Sequence, residues 1–176
     1  MINTLDIVEI VPYCLDYPQR YAAAISQLLP LLAPVAPIFY HVGSTAVPGL
    51  AAKPVVDIAA SVEVFPLPAT LIAKVMQLGY LYWANNPAPD YQLFIKGTPR
   101  THHLHVYGPR STRLREKLLF RDFLRREPAA AAAYELLKHQ LAASFRTDRE
   151  GYTEGKTTFI RQILRLAGST ITQAQT

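Results

Sequence analysis

The sequence contains a single cysteine, Cys14, in 176 residues. One cysteine excludes an internal disulfide framework and any CxxC zinc or redox site, and it is compatible with the cytosol. The sequence also lacks an apolar run of the roughly 18 residues that a membrane span requires. Its N-terminus lacks the basic region followed by an apolar region that is typical of a signal peptide. We therefore expect a cytoplasmic protein with no membrane partner.

Charge is also sparse, because only 18% of the residues are charged while 50% are hydrophobic. This composition is typical of one globular domain with a substantial core, and we expect that domain to cover residues 1–168, with a frayed tail at 169–176. The net charge of +5 favours a phosphate-bearing ligand. The basic residues are scattered, and the richest stretch, 110–126, is typical of an amphipathic helix with solvated charges. We do not expect a nucleic-acid partner, and the oligomeric state is left open.

Several catalytic motifs are missing. There is no GxxxxGK[ST] phosphate loop and no GxSxG nucleophile elbow. The run His103-Leu104-His105-Val106 places Tyr107 where a histidine-triad hydrolase requires its third histidine. Neither histidine is followed two residues later by the small hydroxyl of a two-histidine phosphodiesterase. These absences exclude four common classes of phosphate-handling and hydrolytic enzyme.

The hydrophobic pattern predicts an α+β fold, with a mixed sheet of about five strands followed by a helical C-terminal segment. The predicted strands are 8–11, 38–42, 55–62, 80–83, 91–96 and 102–107. The predicted helices are 18–32 with Asp16 as its cap, 69–78, 113–126, 129–145 and 152–166. Loops are predicted at 45–50 and 85–90.

One aspartate interrupts the most apolar of these strands. Successive side chains of a strand point to opposite faces, so Val56 and Ile58 share a core face while Asp57 faces the other way. A buried carboxylate needs a partner, a metal or a catalytic role. An acid held by backbone donors or by an arginine remains an alternative.

Two histidines follow the same alternation on the last predicted strand. Leu104 and Val106 mark its core face, so His103 and His105 point away from the core. If the two strands share a sheet, Asp57, His103 and His105 converge beside the Gly43-Ser44 turn. The alternative for the two histidines is the polar outer face of an ordinary strand, and the alternative for Gly43-Ser44 is a tight turn without a ligand.

The sequence resembles the GrpB family, which is placed in the nucleotidyltransferase superfamily. The resemblance covers nearly the whole chain and is carried by "HVGSTAVPGLAAKPVVDI" at 41–58, "RTHHLHVY" at 100–107, "FRDFLRREP" at 120–128, "YELLKHQLA" at 134–142 and "YTEGKTTFI" at 152–160. In that superfamily a Gly-Ser turn approaches the triphosphate and strand carboxylates hold a divalent metal. The resemblance therefore implies nucleotidyl transfer from a nucleoside triphosphate to an unknown acceptor.

The resemblance assigns catalysis to Asp57 and Ser44, with Gly43 beside them at the substrate phosphates. Glycine lets a turn present its amides to phosphate oxygens, and lysine or arginine adds positive charge. Further phosphate contacts are predicted for Lys53, Arg100, Arg121 and Lys156. The alternative for the first three is a solvated surface charge, and for Lys156 it is a packing pair with Tyr152, which the pattern favours. The predicted metal ligands are Asp57, His103 and His105. The predicted metal is Mg²⁺ or Mn²⁺, with Zn²⁺ as the alternative that two imidazoles favour.

One departure from the superfamily pattern leaves a second function open. Active nucleotidyltransferases carry Asp-x-Asp or Asp-x-Glu on this strand, whereas Ala59 stands at the second position here. The alternative is a non-catalytic module that binds a nucleotide or another phosphate. Relatives joined to dephospho-coenzyme A kinase domains link that alternative to coenzyme A metabolism.

Overall fold

Five strands form one mixed sheet in the computed structural model, which describes residues 7–86 and 88–168. The strands are β1 (Ile38–Val42), β2 (Val56–Ser61), β3 (Tyr80–Tyr82), β4 (Tyr91–Lys96) and β5 (His102–Tyr107). Their order is β1-β2-β5-β4-β3, with β2 and β5 parallel and the other three pairs antiparallel. The predicted α+β fold with about five strands is confirmed, and β2 and β5 are central neighbours.

Six helices surround the sheet within the described residues. They are α1 (Tyr17–Leu32), α2 (Ala69–Gln77), α3 (Thr112–Arg126), α4 (Pro128–Ser144), α5 (Arg149–Glu154) and α6 (Thr157–Leu166). The last four form the helical C-terminal segment that the sequence predicts. No described helix has the length and apolar character needed to cross a membrane.

The main core lies between α1, α2 and one face of the sheet. Val56, Ile58 and Ala60 of β2 join Leu104 and Val106 of β5 in this core, and all five are fully buried. The alternation of apolar residues predicts this face, because the period of a strand is two.

The opposite face of the sheet has its own apolar cluster. Val42, Ala59 and Tyr107 pack there against Leu114 of α3. The sequence predicts a single core face, which is wrong, because a helix covers part of the second one. Asp57, which lies on this face, is therefore beneath a helical layer and partly shielded from solvent.

The N-terminal predictions need two corrections. Residues 8–11 form no strand, since only Val11 pairs, through one antiparallel bridge to Ala52, and Pro12 that follows has no N–H to extend the ladder. The first helix begins at Tyr17, with Asp16 at its N-cap position, but the Asp16 side chain makes no capping hydrogen bond.

The C-terminal part differs from the prediction at one point. The predicted helix 152–166 is two helices, α5 and α6, which are separated at Gly155 and Lys156. A Cβ at Gly155 would collide with Leu141 of α4, so glycine permits this close packing. Gly151, the predicted break, instead lies inside α5.

Other element bounds differ from the predictions by at most two residues, and a short 3₁₀ turn at Ser44–Ala46 overlaps the start of the predicted loop at 45–50. The predicted tail at 169–176 lies outside the described residues, as does Pro87 of the predicted loop at 85–90.

Candidate functional site

A carboxylate and two imidazoles meet at the centre of the sheet. His103 Nδ1 lies 2.9 Å from Asp57 Oδ1, and His105 Nε2 lies 3.7 Å from the same oxygen. The three side chains are 28%, 16% and 12% exposed for Asp57, His103 and His105 respectively. The structure therefore brings together the three residues that strand alternation places on one face.

The register of two parallel strands produces this contact. Asp57 of β2 is the direct partner of His103 on β5, and Ala59 is the partner of His105. Adjacent strands lie about 4.8 Å apart, so partners on the same face have side chains in contact range. His105 thus lies two residues further along β5 than His103, and its ring reaches back towards Asp57.

Gly43 closes the other side of the carboxylate. Its backbone has φ 73° and ψ −173°, a region that is essentially restricted to glycine. A Cβ at this position would collide with Asp57 Oδ2. The turn that begins with Gly43 and Ser44 therefore lies directly against the acid, as the sequence predicts.

The protonation states follow from burial and pairing. Burial alone would raise the pKa of Asp57, but its contacts with His103 and His105 outweigh that effect and hold the pKa well below the usual range. Burial, together with the nearby charge of Lys117, lowers the pKa of His105 to about 4. At neutral pH the site thus holds an ionised carboxylate beside a neutral imidazole.

The turn after Gly43 is fixed by side-chain contacts. The side chain of Ser44 lies close to the hydroxyl of Tyr134 of α4 and interacts with it. His41 Nε2 lies 3.0 Å from Thr45 Oγ1, and its ring stacks on Tyr21 at a centroid distance of 4.9 Å. These contacts hold the first two residues of the 3₁₀ turn Ser44–Ala46 in place.

Two arginines of helix α3 donate hydrogen bonds to backbone carbonyls at either end of the segment 41–46. Arg121 donates from Nη1 to the carbonyl of His41 at 2.9 Å, and Arg125 donates from Nη2 to the carbonyl of Ala46 at 2.6 Å. Arg121 also contacts its neighbour Asp122 at 2.7 Å. The guanidinium of Arg121 therefore folds back along its own helix to Asp122 while it also reaches β1.

Two lysines flank one buried tyrosine beside the site. The Nζ atoms of Lys53 and Lys156 lie 4.7 and 4.3 Å from the ring centroid of Tyr152, which is 1% exposed. Burial lowers the pKa of Lys53 to about 7, and the nearby positive charges of Arg149 and Lys156 act in the same direction. Burial lowers the pKa of Lys156 to about 8, although Asp57 acts in the opposite direction. Two crowded cations with little compensating negative charge are suited to an anionic ligand.

Further cations adjoin this pair. The charges of Arg100 and Arg149 act on Lys53, so both lie close to it. Lys117 of α3 lies near both Asp57 and His105, and burial lowers its pKa. The site thus combines one buried carboxylate with positive charge from the loop before β2, the approach to β5, and helices α3 and α5.

The residues that the sequence predicts for the site lie in three different places in the structure. Gly43, His103 and His105 lie against Asp57, and Ser44 follows Gly43 in the turn. Lys53, Arg100 and Lys156 belong to the adjoining cationic group. Arg121 is 15% exposed and engaged with His41 and Asp122. Its predicted phosphate contact stays a prediction.

Sequence reasoning missed four residues near the site, which are His41, Lys117, Tyr134 and Arg149. Lys117 and Tyr134 come from helices whose facing side depends on tertiary packing. The prediction that the charges of 110–126 are solvated is wrong for Lys117 and Arg121, which face the sheet. Two of the four carried a signal in the sequence, because His41 and Tyr134 each begin a block that carries the family resemblance.

Comparisons with known sequences identify relatives along most of the chain. A family model described as GrpB protein matches residues 7–166. A UPF0157 protein of Pseudomonas aeruginosa is 42% identical over 164 residues, which cover 90% of this chain and 67% of that protein. The UPF0157 protein YqkA of Bacillus subtilis is 32% identical over 155 residues, which cover 88% of this chain but only 45% of YqkA. The chain thus spans less than half the length of this second relative.

Solved structures show the same fold. The crystal structure of the conserved protein GrpB from Enterococcus faecalis has a TM-score of 0.83 at 30% identity, covering 90% of this chain and 96% of that one. The Cid1 poly(U) polymerase, solved with Mg and 3'-dATP, has a TM-score of 0.54 at 12% identity, covering 74% of this chain and 42% of Cid1. At that identity the likeness shows the fold alone, which is nucleotidyltransferase-like.

Proposed function

We propose a function from one premise: the chain belongs to the GrpB family and has a nucleotidyltransferase-like fold. We infer that it binds a nucleoside triphosphate at the Gly43-Ser44 turn and transfers the nucleotidyl group to an acceptor. The observation that carries this proposal is the contact between Gly43 and the carboxylate of Asp57. It sets the backbone of Gly43 directly against an ionised acid, with Ser44 next in the chain, which supports a phosphate site at this turn.

Each side chain has a role that follows from its position. The turn amides and Ser44 approach phosphate oxygens, because a glycine turn leaves its N–H groups accessible. Lys53 and Lys156, which both contact the Tyr152 ring, neutralise the phosphate charge, and Arg100 adds positive charge near Lys53.

The cation-binding role falls to Asp57, with His103 and His105 beside it. The proposed cofactor is a divalent metal, Mg²⁺ or Mn²⁺, with Zn²⁺ as the alternative. A divalent metal at such a site offsets charge on the phosphates and orients them. Asp57 remains ionised at neutral pH, so it is available as a ligand without losing a proton.

Release of pyrophosphate tests the proposed transfer. The purified chain is incubated with each of the four nucleoside triphosphates and Mg²⁺ or Mn²⁺, and pyrophosphate is measured by a coupled assay. We expect turnover that depends on metal and that Asp57→Asn lowers at least about 100-fold, because the charge but not the shape is removed. Asp90→Asn is the matched control, since Asp90 is a half-exposed acid paired with Arg113. Equal turnover by Asp57→Asn and wild type would contradict the proposal.

A binding module without catalysis is the second candidate, and Ala59 is the observation that favours it. Superfamily enzymes place an acid at this position, whereas Ala59 is fully buried against Val42 and Tyr107. A nucleotide-induced rise in melting temperature, with no turnover and no metal dependence, identifies the binder. The cytoplasmic location and the link to coenzyme A metabolism stay predictions from the sequence.

A further inference from the structure

The strand position that lacks a carboxylate has an imidazole beside it. An acid at residue 59 would point to the same face as Asp57, two residues along β2. Ala59 has no ligand atom, but its direct partner on β5 is His105. The ring of His105 reaches back to within 3.7 Å of Asp57 Oδ1.

We propose that His105 takes the ligand position of the missing second carboxylate, so that Asp57, His103 and His105 form a centre for an imidazole-preferring divalent metal such as Zn²⁺ rather than Mg²⁺. This metal assignment rests on the proposed function, which places a cation at Asp57. The assignment deepens that function because the ligand set selects the metal, and because His105 gains a role that the superfamily pattern does not contain.

The distances fit one shared ion. One ligand atom from each of the three residues lies within 4.8 Å of the others. Bonds of about 2.1 Å to nitrogen and oxygen give ligand-to-ligand separations of about 3.0 Å in octahedral and 3.4 Å in tetrahedral geometry. The observed separations of 2.9 and 3.7 Å from Asp57 Oδ1 bracket this range. Small side-chain rotations therefore suffice to complete the centre.

The chemistry of the ligands favours a borderline metal. Imidazole nitrogen suits Zn²⁺, Fe²⁺ and Co²⁺, whereas Mg²⁺ prefers carboxylate, carbonyl and water oxygens. A catalytic zinc commonly has two histidines, one carboxylate and an open position. Here the three side chains supply only one carboxylate, which is a poor set for Mg²⁺.

Each imidazole has an inner nitrogen that faces Asp57, which is Nδ1 in His103 and Nε2 in His105, and an outer nitrogen on the opposite side of the ring. His103 Nε2 and His105 Nδ1 are buried and have no hydrogen-bond partner among the described residues. A neutral imidazole carries one proton, which moves to the outer nitrogen when the inner one binds a metal. No described group holds either outer nitrogen, so the protein imposes neither tautomer, and each outer N–H would need a water as its acceptor when the inner nitrogen binds a metal.

Direct metal binding tests the proposal. The full chain is stripped with a chelator, and the affinities for Zn²⁺ and Mg²⁺ are measured by calorimetry or indicator competition. We expect Zn²⁺ to bind at least about 100-fold more tightly than Mg²⁺, and His105→Gln and His103→Gln each to weaken Zn²⁺ at least about tenfold. His139→Gln is the matched control, because His139 is an exposed histidine on α4. It is expected to leave the Zn²⁺ affinity unchanged.

Cobalt provides a readout on the unmodified chain, which keeps the test valid if a histidine variant fails to fold. Bound Co²⁺ is expected to give d–d absorption typical of nitrogen and oxygen ligands, and Zn²⁺ is expected to displace it at one equivalent. Equal affinities for Zn²⁺ and Mg²⁺, or the same loss from His139→Gln as from His105→Gln, would overturn the proposal.

Nucleotide measurements in parallel separate the two proposals. Turnover with Mg²⁺ and no selective Zn²⁺ binding would overturn the metal assignment while supporting nucleotidyl transfer. Selective Zn²⁺ binding through the histidines, without binding or turnover of any nucleotide, would support the metal assignment and overturn the proposed function.

Discussion

The carboxylate of Asp57 lies directly against the backbone of Gly43, in the space that a side chain at residue 43 would occupy. Its other oxygen faces His103 at 2.9 Å. The acid is thus held between a glycine turn from the β1 end and an imidazole from β5. This arrangement explains both the glycine and its φ of 73°, since any other residue would displace the carboxylate.

Gly43→Ala is expected to abolish ligand binding, because its Cβ displaces the Asp57 carboxylate. The matched control is Gly49→Ala, since Gly49 has a φ of 79° but a Cβ added there would meet no atom within 4 Å. Backbone strain costs roughly 1–3 kcal/mol in either variant, and the collision adds to it only at residue 43. Chemical denaturation and nucleotide-induced melting shifts measure the two effects. Equal melting shifts in the two variants would show that the contact with Asp57 has no part in binding.

Tyr134→Phe is expected to destabilise the fold by about 0.5–1.5 kcal/mol, because it removes the hydroxyl that interacts with Ser44 while the ring stays packed on Phe159. Ser44→Ala removes the other partner of the same interaction. The double variant is therefore expected to lose less stability than the sum of the single variants. Urea unfolding of all four proteins measures this coupling, and strict additivity would mean that the two hydroxyls do not interact.

The part of the site that comes from strands is predictable from the sequence. The period of two in β2 and β5 alone places Asp57, His103 and His105 on one face. That inference requires only that the two strands share a sheet, and the structure makes them parallel neighbours. The Gly43-Ser44 turn is recognisable because glycine followed by a small polar residue ends a β-branched strand.

The helical half of the site is not predictable in the same way. Lys117 lies on a helix rich in charge, where no local rule says which charges face the sheet. Tyr134 reaches Ser44 from 90 residues further along the chain, and this depends on how α4 packs on the loop before β2. The break between α5 and α6 also depends on packing, since Gly155 lies against Leu141.

Acidification is expected to destabilise the fold between pH 6.5 and 4. Burial lowers the pKa of both His41 and His105 to about 4, from 6.5. Below pH 6.5 the unfolded chain binds protons that the folded chain does not, so stability falls as the pH decreases. Each histidine contributes a slope of at most about 1.4 kcal/mol per pH unit in this window.

His41→Gln tests this assignment through the pH dependence rather than through stability at one pH. The variant is expected to reduce the slope of unfolding free energy against pH between 6.5 and 4, measured by urea denaturation at each pH. His139→Gln, an exposed histidine, is the control and is expected to leave the slope unchanged. An unaltered slope in His41→Gln would show that His41 titrates normally in the folded chain.

Binding of a polyphosphate is expected to weaken as the pH rises above 7. Lys53 has a pKa of about 7 and Lys156 of about 8, chiefly because of burial, so both are partly neutral in the free protein. The groups that act on Lys53 are Arg149, Lys156, Asp57, Arg100 and the ring of Tyr152. A bound anion raises the pKa of each lysine, so binding takes up protons between pH 7 and 9 and the dissociation constant rises with pH.

Calorimetry with inorganic tripolyphosphate measures this proton uptake directly, from the dependence of the binding heat on the ionisation enthalpy of the buffer. We expect uptake of up to about one proton per lysine at pH 8, and a clear reduction in Lys53→Met, which keeps the apolar stem but removes the amine. Lys74→Met is the control, because Lys74 is exposed on α2. Binding that is tight but independent of buffer would mean that Lys53 is already fully charged in the free protein, and its neutral form would then have no part in ligand recognition.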